Sequence, residues 1–77
     1  MDIRRRVGLN LKRLRQEQGV SQEDFAFECE LHRTYISGVE RGVRNPTVLV
    51  LEKMAKALKV PAARLLEDPA RPKDGKH

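Results

Sequence analysis

Short apolar stripes alternating with helix breakers restrict the fold of this chain more than any other feature. Ile3, Val7, Leu11 and Leu14 recur at steps of four, four and three, the spacing of one helix face. Asp2 before this stripe and Gly19 after it are start and stop signals. Ser21 is a good N-cap, with Asp24 three residues on in a near capping box, so a short second helix runs from Gln22 to Cys29. Phe25 and Cys29 share its inner stripe with the small Ala26 between them, and Phe27 falls elsewhere, exposed or half-buried. A third helix is expected from His32 to Arg41, with Ile36 and Val39 inward and Gly42 ending it. Pro46 or Thr47 opens a fourth, whose inward stripe is Val48, Leu51, Ala55 and Leu58, with Met54 alongside. Pro61 opens a short fifth carrying Leu65 and Leu66, which Asp68-Pro69 closes. There is no strand-like alternation and no internal repeat, so the chain reads as all-α, five short helices around one core over residues 1–67. Residues 68–77 are polar and contain proline, and a disordered tail is expected there.

At 77 residues the chain makes one domain, small enough that a second copy is a common remedy for a marginal core. Its longest apolar run, Val48 to Leu51, is far short of the ~20 residues of a membrane span. No signal-peptide stretch follows Arg4-Arg5-Arg6, so the expected location is cytoplasmic, with the nucleoid. The single cysteine, Cys29, can form neither an internal disulfide nor a CxxC metal pair and reads as a small buried apolar residue. His32 and His77 offer no paired base, and the chain has no metal-ligand cluster and no glycine-rich phosphate loop. No enzyme, no cofactor and no metal is expected. A net charge of +5 suits a polyanionic partner but is weak evidence alone.

The middle of the chain carries the stronger signal. Two short helices meeting at a steep angle need a small residue at the crossing, a tight turn, and apolar pins holding each to the rest of the domain. Ala26 suits the crossing, and Phe25, Cys29, Leu31, Ile36 and Val39 suit the pins. His32, Arg33, Thr34, Ser37 and Arg41 are then left pointing outward. A helix presented in this way fits the DNA major groove and reads base edges with its N-terminal residues.

The segments Ser21-Gln22-Glu23-Asp24-Phe25-Ala26, Tyr35-Ile36-Ser37-Gly38-Val39-Glu40-Arg41-Gly42 and Arg44-Asn45-Pro46 resemble the phage-repressor and xenobiotic-response-element (XRE) helix-turn-helix family. The resemblance spans about Val7 to Leu66 and implies a lambda-repressor-like domain with its helix-turn-helix at 22–41. Leu31-His32-Arg33-Thr34-Tyr35-Ile36-Ser37-Gly38 is similar to the controller proteins of restriction–modification systems within that family.

By this resemblance Arg33 and Thr34 read bases, and arginine suits the O6 and N7 acceptors of guanine. Ser37 is a weaker reader of base or phosphate, and His32 either faces DNA or is a plain surface residue. Tyr35 either stacks on sugar or base or packs as the rim of the core. Gln22 holds a phosphate at the start of the second helix, while Arg41, Arg44 and Asn45 grip the backbone, with the minor groove as an alternative for Arg44. Arg15 and Glu40 form a structural pair between the first and third helices, with a phosphate contact as a second role for Arg15. Two residues depart from the family pattern: Glu30 stands where the turn usually has glycine, at a penalty of ~1 kcal/mol if left-handed, and Lys59 replaces the glycine often found after the fourth helix.

From Gly19 to Pro46 the bases are Arg33, Arg41 and Arg44, against Glu23, Asp24, Glu28, Glu30 and Glu40, so the reading unit itself is slightly acidic. Leu49 and Val50 lie off the inward stripe near Leu66, and these three are expected to form a two-fold dimer interface. A homodimer of this kind implies a near-palindromic double-stranded operator, and the resemblance implies a transcription regulator that binds it. RNA polymerase is the further partner that an activating role would add. No membrane and no small-molecule ligand is expected. A phage-type repressor, an antitoxin-type regulator and an interaction module that has lost DNA binding are the alternatives.

Overall fold

A computed structural model describes residues 1–69 and contains five helices: α1 Ile3–Glu17, α2 Gln22–Cys29, α3 Arg33–Glu40, α4 Val48–Leu58 and α5 Ala63–Leu66. Most of the expected tail, residues 70–77, lies outside the described residues. Among the described residues there is no strand, and none of their helices is long and apolar enough to cross a membrane.

The helix starts follow local chemistry. Asp2, Ser21 and Thr47 are extended cap residues whose side-chain oxygens accept from the backbone N–H of Arg4 (2.8 Å), Asp24 (3.0 Å) and Val50 (3.1 Å). Hydrogen bonds from the side chain and backbone of Arg4 also pull the Asp2 carboxyl down to about 2. α2 and α4 end on residues in the left-handed region, Glu30 (φ 59°) and Lys59 (φ 61°). Each carries a side chain where glycine would be free of strain, at ~1 kcal/mol. The closing bonds form regardless: Leu31 N–H donates to Ala26 C=O at 2.9 Å and Val60 N–H to Ala55 C=O at 3.0 Å.

The core contains Val7, Leu11 and Leu14 of α1; Phe25, Ala26 and Cys29 of α2; Ile36 and Val39 of α3; Met54, Ala55 and Leu58 of α4; and Leu65 of α5. Burial pushes the Cys29 thiol up to about 11, which keeps it protonated and unreactive. Two residues placed on inward stripes lie outside the core. Ile3 is 49% exposed and Val48 is 80% exposed. Both are the first residue of their helix, where the stripe continues but no packed neighbour reaches. α3 is also shorter by a residue at each end than the expected span, with His32 and Arg41 as its caps.

Polar side chains close two helix ends. Asn10 is fully buried, and its Nδ2 donates to the carbonyls of Leu65 (2.9 Å) and Glu67 (2.8 Å), tying the end of α5 to α1. Gln18 Nε2 donates to the Leu58 carbonyl at 2.7 Å and does the same for α4. These bonds satisfy carbonyls that a helix end leaves open.

Candidate nucleic-acid interface

α2 and α3 pack against each other, Ala26 of α2 is buried at 3% exposure, and the left-handed Glu30 turns the chain between the two helices. His32 is extended (φ −74°, ψ 143°) and starts α3 without a side-chain capping bond. Ile36 and Val39 are fully buried on the inner side of α3. That leaves His32, Arg33 and Thr34 exposed, with Ser37 half-exposed one turn on and Arg41 exposed at the C-cap. The first turn of α3 therefore presents side chains to solvent over a fixed inner face.

A polar clamp holds α3 in place. Arg15 Nε donates to Glu40 Oε2 at 2.7 Å and Arg15 Nη2 to Glu40 Oε1 at 3.1 Å, a bidentate pair with both side chains buried. Arg15 Nη1 donates to the Val20 carbonyl at 2.7 Å, which adds the α1–α2 turn to the clamp. With every guanidinium nitrogen engaged, Arg15 has little surface left for a phosphate. Gln22 is half-buried, and its Nε2 donates to Glu40 Oε1 at 3.0 Å. An amide nitrogen carries two hydrogens, so one donor stays available at the start of α2. The composition of the clamp, with Gln22 as its third member, was not readable from spacing alone.

Glycines set two close approaches. Gly8 on α1 lies against the Val39 and Glu40 carbonyls, and a Cβ there would come within 2.6 Å of the Glu40 oxygen. A Cβ on Gly38 would meet Arg44 Cγ at 2.6 Å. Gly38 is thus a seat for the Arg44 side chain, whose guanidinium carbon lies 5.7 Å from the Tyr35 ring centroid. Tyr35 is half-buried against the core and is covered by Arg44 on its outer side. Arg44 and Asn45 are exposed beside α3.

The expected dimer residues separate. Leu49 is 77% exposed and Leu66 40% exposed, whereas Val50 is half-buried against the core. Val48 takes the exposed place beside Leu49 instead. Among the described residues no group of three or more His, Cys, Asp or Glu side chains gathers where a metal could bind.

Residues 11–65 match the profile of the HTH_3 helix-turn-helix family. The chain belongs to this helix-turn-helix family. It is similar to the control protein C.BamHI of Bacillus amyloliquefaciens, 46% identical over 67 residues that cover 86% of this chain and 83% of the relative. The restriction–modification controller protein C.AhdI from Aeromonas hydrophila has a similar structure, with a TM-score of 0.78 and 40% identity over 80% of this chain and 94% of that one. So has the restriction–modification controller protein C.Esp1396I, solved as a tetramer in complex with its natural 35 base-pair operator, with a TM-score of 0.77 and 40% identity over 84% of this chain and 86% of that one. This helix-turn-helix protein is accordingly a DNA-binding transcription regulator of the XRE type.

Proposed function

We propose that the protein is the autoregulating controller of a restriction–modification system, acting as a homodimer on a near-palindromic operator. One observation supports the reading above others. Arg33 and Thr34 stand exposed on the first turn of a helix whose other side is locked by a buried ion pair. A helix so held can offer a bidentate donor to guanine in the major groove. Thr34 and Ser37 add contacts along the same groove, with Tyr35 and His32 at its rim. Arg41, Arg44, Asn45 and the free amide hydrogen of Gln22 meet backbone phosphates. The control-protein relatives favour the controller role among XRE-type regulators. Such a regulator represses where its operator overlaps the polymerase site and activates where it binds beside it, so RNA polymerase is a partner only in the second arrangement.

Selection of bound sequences from random duplexes tests the base readers. Two half-sites roughly one helical turn apart are expected, each with a guanine opposite Arg33. Arg33→Ala should lose about 1–3 kcal/mol of discrimination at that base pair and little elsewhere. A uniform loss across all sequences would place Arg33 on phosphate instead.

The dimer joins α4 and α5 of two copies through Leu49 and Leu66, with Val48 beside them and Val50 beneath. Leu49→Glu should sediment as a monomer at tens of micromolar, because a charge would be buried without a partner. A dimer that survives this change would put the interface elsewhere.

A further inference from the structure

The arginines among the described residues fall into two groups. Arg4 pairs with Asp2, Arg13 with Glu17, Arg15 with Glu40 and Arg64 with Glu67. Arg6 Nη1 is within 3.4 Å of the Leu66 carbonyl. Among the described residues, Arg5, Arg33, Arg41 and Arg44 have neither a carboxylate partner nor a carbonyl acceptor for the guanidinium. Three of these belong to α3, its C-cap and the connection that follows. The fourth, Arg5, is distant in sequence but not in space. Gly42, with φ +79°, ends the α3 turn so closely against α1 that a Cβ there would meet Arg5 Cα at 3.1 Å and Cβ at 3.4 Å. Arg5 is exposed, as is the neighbouring Arg41.

The placement is also electrostatically unfavourable for the free protein. The first turn of α1 holds Arg4, Arg5 and Arg6 and no acidic residue, so cations stand at the positive end of a helix. Asp2 neutralises only Arg4. A fold selected for stability alone would favour a carboxylate at position 5. A polyanion lying along α3 would remove the penalty.

We infer that Arg5 is a DNA-backbone contact, extending the footprint from the helix-turn-helix onto the start of α1. The inference rests on the DNA-binding reading above and adds one phosphate per protomer to it. Arg5 carries no base information, since it stands off the first turn of α3 where the readers are. It supplies affinity that the slightly acidic α2–α3 unit lacks.

Salt titration of binding to a random-sequence duplex and to the selected operator tests this. Arg5→Gln should weaken both complexes by the same factor and lower the slope of log K against log salt by about 0.9 for each protomer bound. Arg5→Lys should keep the slope, because charge and not a fork geometry is what a phosphate needs here. Lys56→Gln, which removes an equal charge from the groove that Glu28 and Glu30 line, should also keep it. The Arg5→Gln protein is expected to melt no lower than the parent. A slope unchanged in Arg5→Gln, or reduced equally in Lys56→Gln, would overturn the assignment while leaving the regulator reading intact. A parent protein that binds neither duplex would overturn the regulator reading itself.

Discussion

Replacing Glu40 with alanine is expected to lower stability by about 3–5 kcal/mol, the penalty for leaving a buried charge without its partner. Small domains are stable by only about 5–15 kcal/mol, so a large part of the folded population is at risk. The size follows from the geometry. Arg15 and Glu40 are 8% and 4% exposed, and the carboxylate accepts three hydrogen bonds, two from Arg15 and one from Gln22. Removing it strands a guanidinium inside the protein with only the Val20 carbonyl still accepting from it. Glu40→Gln should lose less, because an amide oxygen still accepts from Arg15. An Arg15→Met, Glu40→Leu double variant should regain most of the stability, since no buried charge is then unpaired. Urea unfolding of the set separates these outcomes. If Glu40→Ala loses under about 1 kcal/mol, the pair behaves as a surface ion pair and the clamp is not what holds α3.

The parts of this fold that were legible in the sequence are those set by neighbours along the chain. Ser21 and Thr47 cap helices because a hydroxyl three residues before an amide reaches it without help from the rest of the protein. Glu30 and Lys59 could be singled out because the family pattern has glycine there, the residue that a left-handed helix end favours. Ile3 and Val48 lie on their inward stripes yet stay exposed for a related reason. Periodicity reports which face a residue occupies, but not whether another element extends far enough to cover it. Asn10 carries no local signal, because its partners, the carbonyls of Leu65 and Glu67, lie more than fifty residues away. The site divides along the same line. That Arg33 and Thr34 face outward follows from Ile36 and Val39 facing in. That Arg44 lies over Gly38 and Tyr35, or that Gln22 turns to Glu40, depends on the angles between helices, which no local pattern records. The family resemblance supplied the Arg15–Glu40 pairing that spacing could not.

Gly8→Val is expected to destabilise the protein by about 3 kcal/mol, at the upper end of what overpacking a close contact usually costs. Context reverses the ordinary sign here. Glycine inside a helix is a poor helix former, so replacing it at an open position with alanine would stabilise by about 1 kcal/mol. At Gly8 the space is already filled by backbone. A Cβ would lie 2.6 Å from the Glu40 carbonyl oxygen and 2.9 Å from its carbon. Backbone cannot swing aside as a long side chain can, and this stretch of α3 is fastened by the Val43 N–H bond to the Gly38 carbonyl at 3.0 Å. Relief must come from separating α1 and α3. That separation lengthens the Arg15–Glu40 bonds and moves Arg5 away from Gly42, so one substitution strains both the clamp and the basic shoulder beside the reading helix. Gly8→Ala should shift the same way by a smaller amount, despite its better helix propensity. Thermal unfolding measures the effect, at about 4–8 °C for each kcal/mol in a domain of this size. Operator affinity measured well below the melting temperature should fall as well, because the remaining folded protein presents Arg33 at a changed angle. A Gly8→Ala protein that melts higher than the parent would show that α1 and α3 can part without loss, and that the reading helix is held by something other than their contact.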